Sequence, residues 1–176
     1  SFQAITATGA KVIACDVDPK TGFIDINDAK SKISDKTRAI MPVHYNGGVG
    51  ELEELYKFSE ENGLRVIEDA AHAFGTVYKG KKIGGIGDIA CFSFDGIKNI
   101  TSGEGGALFI SDDETYEYIK SIKGQGQSTK TRYLHDHLGY NYRMTNIQAA
   151  ILYGQLMELD TIVENKKRVF HSYDKC

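Results

Sequence analysis

The sequence predicts an α/β fold, three-layered, with a mostly parallel sheet and helices on both faces. Three observations lead there. Val66-Ile67 and Ile89-Ala90-Cys91-Phe92 are near-continuous apolar runs rather than alternating ones, as in strands covered on both faces. Amphipathic helical patterns separate the strand candidates, so that one portion reads βαβαβ. The 176 residues, 41% hydrophobic and 26% charged, are enough to bury one sizeable core, which suits a single domain.

Taken in order, residues 2–8 read as the tail of a helix stopped by Gly9. Lys11–Asp16 (KVIACD) reads as a strand, and DVDPKTGFID as a loop with turn chemistry at Asp18-Pro19 and Thr21-Gly22. Asp25 is placed to cap a helix over INDAKSKI, whose Ile26, Ala29 and Ile33 recur at helical spacing. Thr37–Val43 is the next strand, with Pro42 at its very end, since proline cannot donate to a ladder. Glu51–Asn62 is an amphipathic helix stopped by Gly63, and the strand after it ends at Glu68-Asp69. TVYKGKKIGG suggests a short hairpin about Lys79-Gly80. A strand ending near Phe94, another over Ala107–Ser111 and a helix opened by Asp112 follow. Residues 124–139 are polar and irregular, the kind of long loop that is usually functional or disordered. One last helix is expected from Thr145 to Lys167, with Ile147, Ala150, Ile151, Leu156, Leu159, Ile162 and Val163 as its apolar face.

This arrangement puts Asp69 at the end of one strand and Lys98 in a loop just after another. Ligands of open α/β sheets collect outside the carboxyl ends of the strands, so both residues point at the expected crevice. A lysine there can form a Schiff base with a carbonyl, and a neighbouring carboxylate can hold a pyridinium nitrogen protonated. Taken singly, such a lysine is ordinarily a solvated charge and such an acid ordinarily serves a turn.

The surrounding residues are more specific. EDAAHAFG, YKGKKIGGIGDIACFSF and GIKNITSGEGGAL, with PVHYNG upstream and LGYNYRMTNIQAA downstream, resemble the DegT/DnrJ/EryC1/StrS family of nucleotide-sugar aminotransferases. The likeness runs through nearly the whole chain in the family's order, and the interval from Asp69 to Lys98 fits the family's acid-to-lysine spacing. The resemblance implies the large domain of the aspartate aminotransferase-like fold, type I among enzymes dependent on pyridoxal 5'-phosphate (PLP). It implies that Lys98 carries PLP as a Schiff base and moves protons as general base and acid. It implies Asp69 as the partner of the pyridine nitrogen, His72 as the residue near the ring hydroxyl and Ser93 as a phosphate ligand. Asn141 would reach across a homodimer interface to the partner's PLP phosphate, making shared active sites, and Arg143 could serve the same anionic region. The glycines Gly103, Gly105 and Gly106 either permit a turn or let the backbone approach the cofactor, and sequence alone leaves both readings open.

The activity implied is a transamination, with L-glutamate as donor and the keto group of a nucleotide-linked sugar as acceptor, for surface polysaccharide or secondary metabolites. A PLP-dependent sugar dehydratase of the same fold would replace the lysine with histidine, so Lys98 argues against it. A nicotinamide-dependent oxidoreductase needs GxGxxG directly after the first strand, where this chain has DVDPKTG. Family members are about twice as long, so the chain reads as an excerpt lacking an N-terminal segment and the C-terminal small domain, and the excerpt alone could be an inactive structural piece.

Composition excludes other classes. The net charge of −3 gives no basic footprint for nucleic acid, and no apolar run approaches the ~20 residues of a membrane span. Three cysteines, Cys15, Cys91 and Cys176, without CxxC spacing suit a reduced cytoplasmic setting better than a disulfide framework. His135-Asp136-His137 lacks the second ligand cluster of a zinc site, and no metal is expected. His44, at a strand end, reads as structural or pocket-lining.

Overall fold

The computed structural model describes residues 1–128 and 130–174. Cys176 lies outside the described residues, while Cys15 and Cys91 are free thiols. The chain forms two compact units: Ser1–Ser93 with Ala107–Phe109, and Phe94–Gly106 with the residues from Ile110 onward.

The first unit carries the sheet. Helix α1 (Phe2–Thr6) ends before Gly9, whose φ of 81° lies in the left-handed region open to glycine. Asp25 caps α2 (Ile26–Lys32) by accepting from the amides of Asn27 and Asp28, and Ile26 and Ala29 are buried. Strand β1 (Ala39–Ile40) runs parallel to β2 (Arg65–Asp69), with helix α3 (Leu52–Glu61) between them in sequence. β2 in turn runs parallel to β5 (Ile89–Ser93), in a register that sets Asp69 beside Cys91. β6 (Gly106–Ile110) completes the order β1-β2-β5-β6, so the sheet is mostly parallel and the fold α/β. Strands β3 (Val77–Tyr78) and β4 (Lys81–Lys82) form the expected small hairpin, turned by Lys79 and Gly80 with φ of 46° and 81°.

Alternation sorts β2 and β5 into two faces. Val66, Glu68, Ala90 and Phe92 are buried, while Ile67, Asp69, Ile89, Cys91 and Ser93 are half-buried. Tyr56 and the fully buried Leu52 and Leu55 belong to α3, which packs on β2, and each apolar side chain so buried contributes about 2 kcal/mol. The other face of β2 and β5 is therefore the less covered one.

The strand expected over Lys11–Asp16 does not form; the segment belongs to no sheet. Two of its main-chain groups are taken by side chains of α2: Asp28 accepts the Asp16 N–H at 2.6 Å, and Lys32 donates to the Ala14 carbonyl at 2.9 Å. The chain pairs only beyond it, in an antiparallel bridge of Val17 with Ile24 around the Asp18 turn. The strand expected over Thr37–Val43 shortens to β1, because Pro42 interrupts donation, and resumes as a single bridge of Val43 to Asp69.

The second unit holds α4 (Asp113–Lys123), α5 (Asn146–Met157) and α6 (Leu159–Tyr173). Asp112 caps α4 through the Thr115 amide, and Thr145 with Gln148 forms a capping box at α5. The single helix expected over 145–167 is two helices, broken at Glu158 (φ −100°, ψ 8°), next to the buried Leu159. The expected apolar face is also corrected: Leu159 alone of α5 and α6 is buried, while Ile147, Ile151 and Leu156 are exposed. Nor is the 124–139 stretch irregular throughout: antiparallel bridges join Gly124 to Asn141 and Gln127 to His135.

Candidate active site

Asp69 is the last residue of β2, and its main chain is held from both sides. Its N–H donates to the Pro42 carbonyl at 2.9 Å, and the next amide, Ala70, donates to the Cys91 carbonyl at 2.9 Å. The carboxylate accepts the Ala71 N–H on Oδ1 at 3.2 Å and the Ser1 hydroxyl on Oδ2 at 2.5 Å. A carboxylate offers about four lone-pair positions, so capacity remains for a further N–H donor. Cys91, beside Asp69 in the register, has its thiol pushed above the ordinary range by burial and then by the charges of Asp69 and Glu68. It stays protonated, a packing residue rather than a nucleophile.

Past the end of β2 the chain turns, and His72 comes to rest against the PVHYNG segment. The Asn46 amide donates to His72 Nδ1 at 3.3 Å, and the Tyr45 and His72 rings lie 5.8 Å apart. An Nδ1 that accepts puts the proton of the neutral ring on Nε2, which becomes a donor. Asn46 holds φ at 53°, a left-handed conformation that asparagine tolerates, and this aims its amide. Ser93 ends β5 on the same half-buried face as Asp69. The first unit thus gathers a carboxylate, an imidazole N–H and a hydroxyl at the carboxyl ends of adjacent parallel strands. This donor set fits PLP: an acceptor for a pyridinium N–H, a donor for the ring oxygen and a hydroxyl for the phosphate.

Lys98 and Asn141 belong to the second unit. Residues 94–105 form a loop closed at its mouth: Phe94 donates its N–H to the Gly105 carbonyl at 2.8 Å, and its carbonyl accepts the Ser102 N–H at 2.9 Å and the Thr101 hydroxyl at 3.0 Å. Lys98 stands half-buried at the end of a turn, with its N–H on the Asp95 carbonyl at 3.0 Å. Gly103 and Gly105 have φ of 82° and 142°, so the turn conformation alone requires glycine at both. The loop is gripped by α5 and α6. Gln155 accepts the Thr101 N–H at 2.9 Å and donates to its carbonyl at 3.0 Å, while Lys166 donates to Asn99 at 2.6 Å. Gln155 and Asn46 are not legible in the sequence, because Gln155 acts on main chain far away in sequence and Asn46 acts through its own amide on a distant side chain.

Asn141 is exposed, on a segment zipped to the end of α4 by bonds between Tyr140 and Ile122 and between Tyr142 and Lys123. Its Oδ1 accepts the Arg143 N–H at 3.3 Å, and the rings of Tyr140 and Tyr142 stack beside it at 5.4 Å. His135 contacts the Gln125 carbonyl and His137 the Tyr118 ring, and among the described residues no three His, Cys, Asp or Glu side chains cluster to hold a metal. His44 is fully buried. No helix among the described residues is long and apolar enough to cross a membrane.

A model of the DegT/DnrJ/EryC1/StrS aminotransferase family matches residues 1–176. GDP-perosamine synthase of Escherichia coli O157:H7 is 44% identical over 175 residues, which cover 99% of this chain and 48% of that protein. Helicobacter pylori PseC, an aminotransferase of pseudoaminic acid biosynthesis, superposes with a TM-score of 0.92 at 29% identity, over 98% of this chain and 47% of its own. Spr1654 of Streptococcus pneumoniae, solved in a PLP form, gives a TM-score of 0.92 at 28% identity, over 99% of this chain and 50% of its own. The chain spans about half the length of the curated relatives it matches.

Proposed function

The chain belongs to the DegT/DnrJ/EryC1/StrS aminotransferase family, and from that membership we propose that the full-length protein is a PLP-dependent aminotransferase acting on a nucleotide-linked keto sugar. The observation that carries the reading is the donor set at the strand ends, with Asp69 and Ser93 on one half-buried face of a parallel sheet and His72 in the turn that follows Asp69. Bound there, PLP would supply the electron sink that amino transfer needs.

The chain's own residues have separable tasks. Asp69 accepts the pyridine N–H and keeps that nitrogen protonated. His72 donates from Nε2 to the ring oxygen and so orients the ring. The Ser93 hydroxyl binds the phosphate. Lys98 is the point of covalent attachment, and its amine takes up and returns the proton at the reacting carbon. Asn141, exposed beside a tyrosine pair, reaches the phosphate of a second subunit, so that the working site is built by a homodimer.

The balanced reaction is L-glutamate plus keto sugar giving 2-oxoglutarate plus amino sugar. GDP-linked sugars are the first candidates, because the relatives named GDP-perosamine synthase are 39–44% identical. The test incubates the full-length protein with L-glutamate, PLP and a panel of GDP-, UDP- and dTDP-linked keto sugars, with products read by mass spectrometry. An amino sugar formed by wild type and not by Lys98→Ala is expected. No amino sugar from any member of the panel, in a folded protein, contradicts the proposal.

A further inference from the structure

Beside Asp69, on the opposite face of β2, lies a carboxylate with no access to solvent. Glu68 is 0% exposed, and both of its oxygens are held. Oε2 lies 2.7 Å from Nε2 of His44, itself 0% exposed, and Oε1 accepts the Tyr56 hydroxyl at 2.8 Å. His44 Nδ1 has no hydrogen-bond partner among the described residues, and the ring stacks on Phe23 at 5.7 Å. A neutral ring with its proton on Nε2 makes the bond to Glu68 and leaves only a lone pair unpaired, whereas a proton on Nδ1 would be an orphaned donor. Glu68 therefore receives two donors. Burial, then the nearby Glu68 charge, pushes the Tyr56 hydroxyl above its ordinary range, which keeps it a donor.

The same histidine is joined to the next residue through its main chain. The His44 N–H donates to the Asp69 carbonyl at 3.0 Å, and the Asp69 N–H donates to Pro42. His44 thus grips β2 twice, at Glu68 by its side chain and at Asp69 by its backbone. It does so just beyond Pro42, a proline that cannot donate to the ladder. Space for the network is reserved by Gly87, since a Cβ there would overlap the Tyr56 hydroxyl. An apolar trio of the same shape would serve stability as well or better, because a buried charge is costly to desolvate. What the polar trio supplies is direction.

We propose that His44, Glu68 and Tyr56 are positioning residues, a buried staple that fixes the end of β2 and thereby the Asp69 carboxylate. The inference rests on the cofactor role given to Asp69 above. The full-length protein is compared as wild type, Glu68→Gln, Tyr56→Phe and Phe58→Leu, the last a core change in α3 without a polar contact to β2. Two quantities are measured: amide hydrogen exchange in the cofactor-free protein, and the dissociation constant for PLP by absorbance titration. Glu68→Gln is expected to speed exchange at the His44 and Asp69 amides about ten-fold relative to Val66, and to weaken PLP binding about ten-fold. Tyr56→Phe is expected to shift both about three-fold in the same direction, and it stands in for Glu68→Gln if that variant does not fold. Phe58→Leu is expected to lower the melting temperature while leaving relative exchange and PLP affinity within about two-fold.

Unchanged exchange at His44 and Asp69 in the Glu68 and Tyr56 variants overturns the staple. So does a Phe58 variant that matches them in both readouts, since the effect would then be one of general stability. Should wild type bind no PLP, the aminotransferase reading fails by itself, and the exchange comparison still decides whether the staple exists.

Discussion

A single amide side chain, Gln155, does for the Lys98 loop what a strand would do for a longer segment: it pairs with both the N–H and the carbonyl of Thr101. Gln155→Leu keeps the bulk and leaves both groups unpaired in a half-buried place, at an expected cost of about 2 kcal/mol in denaturant unfolding of the full-length protein. A change below about 0.5 kcal/mol would show that water replaces the amide there. The Asp18 turn gives a second expectation. Its carboxyl is held below the usual range by the amides of Thr21 and Lys20. A carboxyl depressed by folding adds stability above its unfolded pKa, and that stability is lost as pH falls through the folded value. Wild type is therefore expected to lose melting temperature below pH ~4, and Asp18→Asn to lose less over the same interval; equal losses would contradict it. At this scale position was legible: Asp69 and Ser93 end β2 and β5, and Lys98 follows in a loop, as the apolar runs indicate. Least legible was a role that depends on a distant group, as with Asn46 at His72 or Gln155 at Thr101.

Helices and strands were legible in proportion to how local their causes are. The caps of α2, α4 and α5 follow from Asp25, Asp112 and Thr145, each bonding an amide within one turn. Thr145→Ala is accordingly expected to cost about 1 kcal/mol, read by the same unfolding measurement, and Thr145→Ser to restore most of it. A full-cost Thr145→Ser would mean that the threonine methyl, not the hydroxyl, matters. Elements that depend on competition are not legible locally. KVIACD has strand composition, yet Asp28 and Lys32 take two of its main-chain groups, the Asp16 N–H and the Ala14 carbonyl. The α5–α6 break carries no glycine or proline to announce it; the Glu158 N–H bonds back to Gln155 and Leu156, and α6 begins at the buried Leu159. The mostly parallel sheet was readable from the apolar runs Val66-Ile67 and Ile89–Phe92, although their strands are buried on one face and only half-buried on the other.

For the whole molecule, the family match through residues 1–176 joins the two units into one functional proposal. Helix α5 is apolar nearly all round, yet none of its residues is buried in this chain. A helix of that kind is ordinarily covered, and coverage by a second subunit agrees with the role proposed for Asn141. The proposed function turns on Lys98 as the covalent seat of PLP. The most direct measurement is borohydride reduction of the full-length protein saturated with PLP, followed by proteolysis and mass spectrometry. A phosphopyridoxyl group on the peptide that contains Lys98, absent when Lys98→Ala is treated in the same way, is expected. A group trapped on another lysine, or none trapped in a folded wild type, would contradict it.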